Sequence, residues 1–467
     1  MATQPGLTDL PNELLIQIIE YIPNENCQDI SSLSRTSRRM YTLALDHLYT
    51  SFSVTSPWLL LRTLLLKPEL GKQVRKVSWK HNEVRQDHNE HYKAVLASCM
   101  RNFKLPELSE AVASGAQSPI ERLYHEFLAM FLLSTPNVKT VILEPFAWQD
   151  GLYWFKTIAS HAERLPHLRT IYIHGPLRLE QTAHIFLLPS VRNITLTDLV
   201  LLHDPANIPD DEYTEWDNSE TPLYTVLQPG TSRVEALTLK RSCIEVPILT
   251  RFTNACTTLT RFEYEHDIHN AQSRDLTLLN LLRNAALEVA LARHRKSLHH
   301  LSIRGDHQMM YQRHMLHVAR LASRMQNLCS LDMGLLTNDE DPVYGASEFV
   351  AQFLSHLPPT LQELSFEIDW QEHWGAKGWE GPTEFLRLLA AVAPARLGLL
   401  NRVAVVDWPP VLGLFPPDFA DLYGCFGEGG LRFVSVPALV EGPSPVLWVD
   451  DVEPGWVFVE VGVAELE

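Results

Sequence analysis

Apolar residues recur along this chain at a fixed local spacing: one apolar position, a second three residues on, a third two after that. The first copies are Val74-Val77-Trp79, Val138-Val141-Leu143, Leu168-Ile171-Ile173 and Val191-Ile194-Leu196. Val234-Leu237-Leu239, Leu259-Phe262-Tyr264, Leu298-Leu301-Ile303 and Leu328-Leu331-Met333 follow. The last are Leu361-Leu364-Phe366, Leu400-Val403-Val405 and Leu431-Val434-Val436. From Val138 onward, successive copies begin 23–43 residues apart. The last two positions of each triplet alternate as on a strand with one buried face, and most intervals leave room for a helix. One short strand and one helical return cannot bury their apolar face alone, whereas stacked copies can. The pattern therefore predicts an α/β fold over about residues 74–440, with curved parallel strands, helical returns and the triplets turned into the core.

The same alternation sends the intervening polar residues to the open face of the strands. These are Lys76, Ser78 and Lys80 early, then Thr170, Tyr172 and His174. Arg261, Glu263, Glu265, His300, Ser302 and Arg304 follow, then Asp332, Glu363, Ser365 and Glu367. The face is expected to be basic at its start, mixed in the middle and acidic late. A protein partner is expected at Arg261, Glu263, His300, Arg304 and Glu363, with Trp370 and Trp374 from the neighbouring aromatic loop. Tryptophan beside mixed charge has the composition of a binding centre with a polar rim. For any single position, a merely solvated strand residue is the competing reading.

Two insertions interrupt the repeat, at about 80–120 and 203–229. The first holds His81, His88 and His91 and leads towards an amphipathic helix from about Pro119 to Leu133. Its histidines lack the spacing of a metal frame, so they read as a solvated loop. The second carries Asp204, Asp210, Asp211, Glu212, Glu215, Asp217 and Glu220 with no Lys or Arg. A solvated insertion is the expected reading, a docking segment the alternative. Residues 441–467 form an acidic cap or tail with no Lys or Arg.

The segment before the repeats has helical rather than strand periodicity. Leu14, Leu15, Ile18, Ile19 and Ile22 share one broad apolar stripe, opened by Asp9 and Pro11 and closed by Pro23. A second helix is expected from about Asp29, with Ile30, Leu33, Met40, Leu43 and Leu48 as its apolar positions. So short a pair has little core of its own, so part of its apolar surface should be covered by the next domain or by a partner.

Leu10-Pro11-Asn12-Glu13-Leu14, the pair Ile18-Ile19 and the later element Thr36-Ser37-Arg38-Arg39-Met40-Tyr41 with Leu48-Tyr49 resemble the F-box. Ser37 stands where the family usually has Cys, and Met40 where it has Trp. The resemblance covers about residues 6–54, and the whole arrangement is similar to fungal F-box proteins with irregular leucine-rich repeats. It implies a helical domain, a junction over 55–73, and docking on the small Skp-type adaptor of a cullin-based ubiquitin ligase. The implied adaptor-binding residues are Leu10, Pro11, Leu14, Leu15, Ile18, Ile19 and Leu33. Some of these must instead pack the domain on itself, and the sequence does not divide them. A helical cap that merely closes the repeat array is the competing, compatible reading.

Composition narrows the classes further. A formal net charge of −17 disfavours binding to nucleic acid or anionic membranes. The six cysteines are scattered without a C-x-x-C pair, as expected of thiols in a reducing compartment. The start shows no secretory pattern and no apolar run approaches ~20 residues, so an intracellular protein without a membrane span is expected. No metal, cofactor or catalytic frame is legible. The leading expectation is a non-catalytic substrate-recognition subunit of a Skp–cullin–F-box ubiquitin ligase, binding adaptor, through it cullin, and a protein client. A non-degradative scaffold of the same architecture is the alternative, and an enzyme on a repeat-like fold the third.

Overall fold

A computed structural model describes residues 10–22, 27–54, 57–79, 128–143, 158–175, 177–200, 227–242, 244, 246–266, 286–304, 312–334, 346–367, 380–408, 422, 424–427 and 430–437. Asp9, the histidines at 81, 88 and 91, most of the acidic insertion, Trp370, Trp374 and residues 441–467 lie outside them.

Helix α1 is Asn12–Tyr21 and starts behind Pro11, whose extended backbone (ψ 154°) supplies no side-chain cap. The stretch expected as one helix from Asp29 is two: α2, Cys27–Ser34, and α3, Arg38–Thr50. Ser37 makes the break. Its backbone is extended (φ −159°) and its side-chain oxygen accepts from the Met40 N–H at 3.1 Å, capping α3. A serine there rewards a new helix start more than continuation. Leu15, Ile19, Ile30, Met40 and Ala44 form a small buried core, with Leu10, Ile22, Leu33, Leu43 and Leu48 packed around it.

Helix α3 leads directly into strand β1, Ser51–Val54, so the last residues of the expected helical segment belong to the sheet. The Ser-Phe-Ser-Val alternation there has a period of two, which a helix cannot use. Helices α4, Pro57–Leu66, and α5, Pro68–Gly71, then lead to β2, Lys76–Trp79. Gly71 is required by close approach: a Cβ on it would lie 2.1 Å from the Ser134 carbonyl oxygen.

The remaining strands are β3 Thr140–Leu143, β4 Thr170–Ile173, β5 Leu177–Arg178, β6 Asn193–Thr197, β7 Leu199–Val200 and β8 Ala236–Ser242. They continue as β9 Arg261–His266, β10 His300–Arg304, β11 Ser330–Met333, β12 Glu363–Glu367, β13 Arg402–Trp408 and β14 Arg432–Pro437. Twelve strands form one sheet in chain order, every neighbour parallel, and β5 and β7 make a separate two-stranded pair. Parallel neighbours need long crossovers. Helices α6 Val246–Ala255, α7 Ala286–Leu291, α8 Gln312–Ser323, α9 Ala346–Ser355 and α10 Glu380–Arg396 supply several. Their Phe252, Leu291, Val318, Phe353 and Leu389 share one buried core with the strand triplets. The chain is thus mixed α/β with a long parallel sheet behind an N-terminal helical region.

The first ten triplets are buried at all three positions. The eleventh is corrected. Val403 pairs with Phe433, and Phe433 is buried, whereas Val434 pairs with Ala404 and is half-buried. Leu431 therefore lies two residues before the inward position instead of three. Phe433 stacks on Phe426 at 4.9 Å, so the larger ring takes the core place. A one-residue change of phase exchanges faces.

His294 fastens two returns. Its Nδ1 accepts the Leu259 N–H at 3.2 Å and its Nε2 lies 2.8 Å from the Thr253 carbonyl oxygen. Burial keeps the ring neutral by lowering its pKa. Among the described residues no helix is long and apolar enough to cross a membrane.

Candidate functional site: an apolar helix stripe and a polar strand face

The seven positions implicated in the N-terminal region divide by burial. Leu15 and Ile19 are closed in the small core, and Leu10 and Leu33 are half-buried against it. Pro11 is exposed. Leu14 is 45 % and Ile18 37 % exposed, and Tyr21, one turn further, is 88 % exposed. Positions 14, 18 and 21 fall on one helix face. Three uncovered large side chains in line are informative where a single one is not. Tyr21 is outside the apolar stripe legible in the sequence, yet its spacing from Ile18 puts it on the same face. Arg39 sets the start of this helix, donating from Nε to Asn12 Oδ1 at 2.8 Å and from Nη2 to the Leu10 carbonyl at 2.7 Å.

On the sheet, register brings the expected binding residues together across neighbouring strands. Arg261, His300 and Ser330 are aligned, as are Glu263, Ser302 and Asp332. Glu263 takes an ion pair from Arg261, lies 3.4 Å from His300 Nε2 and accepts from Thr238 Oγ1 at 3.2 Å. Burial pushes its carboxyl up, but the hydrogen bonds and charges of His300 and Arg261 outweigh that and hold it at about 2. On the next strands Arg304 donates to Asp332 Oδ2 at 3.0 Å from Nε and 2.6 Å from Nη2, and Ser302 donates to the same oxygen at 3.0 Å. Glu363 lies 3.4 Å from Arg402 Nη1. Ser302 and Asp332, expected as open-face groups, are buried in this network.

On the late face Asp332 and Glu363 are therefore not unmatched acids. Glu263, Asp332 and Glu363 are paired with Arg261, Arg304 and Arg402, and register adds Arg432 beside Arg402. Next to the network, Tyr172, His174, Asn193, Thr195, Thr238 and Lys240 line a hollow of about 430 Å³ that reaches Arg261 and Glu263. Its walls are mainly uncharged hydrogen-bonding groups, a surface suited to a polar peptide.

Ser330 Oγ, His300 and Glu263 lie in a line, with 3.0 Å from Ser330 Oγ to His300 Nδ1. Hydroxyl, imidazole and carboxylate in that order invite a nucleophilic reading. The adjoining backbone is paired in the parallel ladder, however, so its N–H groups serve the neighbouring strands and not a developing oxyanion. Burial pushes the Cys256 thiol to about 12 against a weaker opposing effect of Arg293, which disfavours the thiolate that a nucleophile needs. The described residues hold no group of three or more His, Cys, Asp or Glu able to bind a metal.

Comparison with known proteins adds a family to the helical region alone. No curated protein matches the chain by sequence. A solved structure of a Bacteroides fragilis structural-genomics target aligns at 9 % identity and a TM-score of 0.31, over 64 % of this chain and 65 % of that one. A sugar phosphate isomerase/epimerase of Parabacteroides distasonis aligns at 11 % identity and a TM-score of 0.22, over 66 % of this chain and 88 % of that one. The chain thus spans about two thirds of the first structure's length, and neither likeness is close enough to bear on function. The F-box-like family model matches residues 7–55, the helices that carry Leu14, Ile18 and Tyr21 together with β1. Residues 7–55 of this chain are an F-box-like domain.

Proposed function

We propose that this chain is the substrate-recognition subunit of a Skp–cullin–F-box ubiquitin ligase. The observation that carries the reading is the uncovered Leu14–Ile18–Tyr21 face on the first helix of an F-box-like domain. Domains of this family generally bind Skp-type adaptors. Leu14, Ile18, Leu10 and Pro11 contact the adaptor in this reading. Leu15, Ile19 and Leu33 hold the helix that presents them. Cullin is reached through the adaptor.

The strands and returns are in this reading an irregular leucine-rich-repeat solenoid spanning about residues 74–440, supported by twelve parallel strands in chain order. A protein client lies on the open face at Arg261, Glu263, His300, Arg304 and Glu363, with Trp370 and Trp374 completing the site. The chain itself performs no chemistry, consistent with carboxylates already committed to ion pairs. It works inside the cell. Delivery of a client to ubiquitin distinguishes this role from that of a non-degradative scaffold.

The test is affinity purification of the full chain. Leu14→Glu with Ile18→Glu removes adaptor and cullin from the eluate without unfolding the chain. Leu15→Ala also reduces capture, but through loss of helix stability on the order of 2–4 kcal/mol. Adaptor retained at wild-type level by the folded double variant overturns the proposal. Client level is read with and without a proteasome inhibitor, and a client that accumulates only with the inhibitor supports degradation over scaffolding.

A further inference from the structure

The residues just before the strands form their own line across the sheet. Lys139 N–H donates to the Arg75 carbonyl at 2.7 Å, Arg169 to Lys139 at 2.9 Å, Arg192 to Arg169 at 2.8 Å and Glu235 to Arg192 at 2.7 Å. The same bond pattern continues through Thr260, His299, Cys329, Gln362 and Asn401. Four consecutive positions of this line are thus Lys or Arg, the five from Thr260 to Asn401 include neither, and a last bond from the Arg432 N–H to the Asn401 carbonyl adds one isolated arginine. Neighbouring strands are ~4.8 Å apart, so the four cations span about 15 Å.

Their charges are largely uncompensated. Lys139 and Arg169 are exposed, and Arg75 and Arg192 half-buried. Among the described residues one carboxylate reaches the row, Glu235 at 3.2 Å from Arg192 Nε. None reaches Arg75, Lys139 or Arg169. Arg75 is held in place by donating from Nη1 to the Lys72 carbonyl at 2.9 Å, which fixes the guanidinium and leaves its charge unmatched. Like charges in a line repel one another. In a chain of net charge −17, such a row is a local exception to the field of the whole protein.

We propose that Arg75, Lys139, Arg169 and Arg192 form a docking edge for an anionic peptide segment of a partner protein. This edge is separate from the open strand face and from the Leu14–Ile18 stripe, and it stands whether or not the chain serves a ligase. An extended peptide places same-side residues ~6.6 Å apart, so about three Asp, Glu or phosphorylated side chains match the row. Arginine forks and the lysine ammonium both suit such oxygens. A peptide is favoured over nucleic acid by range. A short anionic run feels mainly the row, within a Debye length of ~10 Å, whereas a polyanion also meets the repulsion of the acidic body.

The test uses the full chain and a fluorescent peptide of about ten residues bearing five Glu on a Gly/Ser background, read by anisotropy at low salt. The control peptide has Gln for Glu, a third carries phosphoserine, and a single-stranded DNA of similar length is the rival ligand. Tight binding of the Glu or phosphoserine peptide but not of the Gln peptide is expected, and the tighter of the two names the anion. Lys139→Glu with Arg169→Glu should weaken it about tenfold or more. Lys139→Gln with Arg169→Gln should weaken it less, and Lys139→Arg should keep it. Arg402→Glu on the late face should leave it unchanged. The proposal is overturned if neither anionic peptide binds, if the double variants bind as wild type does, or if the DNA binds more tightly than both peptides.

Discussion

The two halves of the sheet are made by the same repeat and treat charge in opposite ways. On β9 to β13, Glu263, Asp332 and Glu363 each lie against an arginine of their own or a neighbouring strand. On the entry line of β2 to β6, Arg75, Lys139 and Arg169 have no carboxylate within reach among the described residues. Both halves look charged in the sequence. In three dimensions the late half has used these charges to tie strands together, whereas three of the four entry-line cations of the early half have no carboxylate partner among the described residues. The parallel register decides which, because it sets which side chains are ~4.8 Å apart.

The largest test of this contrast is at Asp332. Its carboxylate takes three hydrogen bonds from Ser302 and Arg304 in a buried setting. Asp332→Ala strands the Arg304 guanidinium and the Ser302 hydroxyl, and should cost roughly 2–4 kcal/mol in denaturant unfolding. Asp332→Asn keeps the shape and loses the charge, and should cost less. A loss below about 0.5 kcal/mol for Asp332→Ala would mean that the late half is not held by its ion pairs.

A smaller effect is expected from acid. The folded pKa of Glu263 is about 2, below its ordinary value of 4.5, so the native state favours the ionised form. Its contribution is fully present above pH 4.5 and is lost as pH falls towards 2, with a size on the order of 1–2 kcal/mol after screening. The stability difference between wild type and Glu263→Gln should therefore shrink across that window. A difference that stays constant from pH 5 to pH 3 would remove the carboxylate from the network's energetics.

Much of this architecture is legible in the sequence, because burial on one face of a strand enforces a spacing that survives degenerate repeats. Ten triplets are inward as their alternation implies, and the F-box-like opening Leu10-Pro11 precedes α1. The phase failed at Leu431, where Val434 and Phe433 are both apolar and the larger ring took the core place. The break at Ser37 was hidden because Leu33 and Met40, seven residues apart, continue a helical stripe across it. The charges of the late face were legible one by one, but their cancellation was not. Pairing such as Glu363 with Arg402 joins residues from different repeats, and only the register brings them together. The basic row has a simple signal in the sequence: the residue after the first apolar of four successive triplets is Arg75, Lys139, Arg169 and Arg192.

The smallest effect tests the other half of the contrast. If the entry-line cations are presented and not used for folding, removing one should cost the fold almost nothing. Two unit charges ~5–7 Å apart in water repel by about 0.6–0.8 kcal/mol, and long side chains splay to reduce that. Lys139 sits between Arg75 and Arg169 in the line, so Lys139→Ala relieves two such contacts while burying or exposing little apolar area. Its unfolding free energy should stay within about 0.5 kcal/mol of wild type at low salt, with any change on the stabilising side. Added salt should erase the gain, because the Debye length falls to ~3 Å at 1 M. Arg192→Ala, which gives up the Glu235 pair, should lack that gain. A loss above about 1 kcal/mol for Lys139→Ala would make the row structural. The two halves would then differ in the partners of their charges but not in their purpose, and an anionic ligand would have to displace contacts that the fold needs.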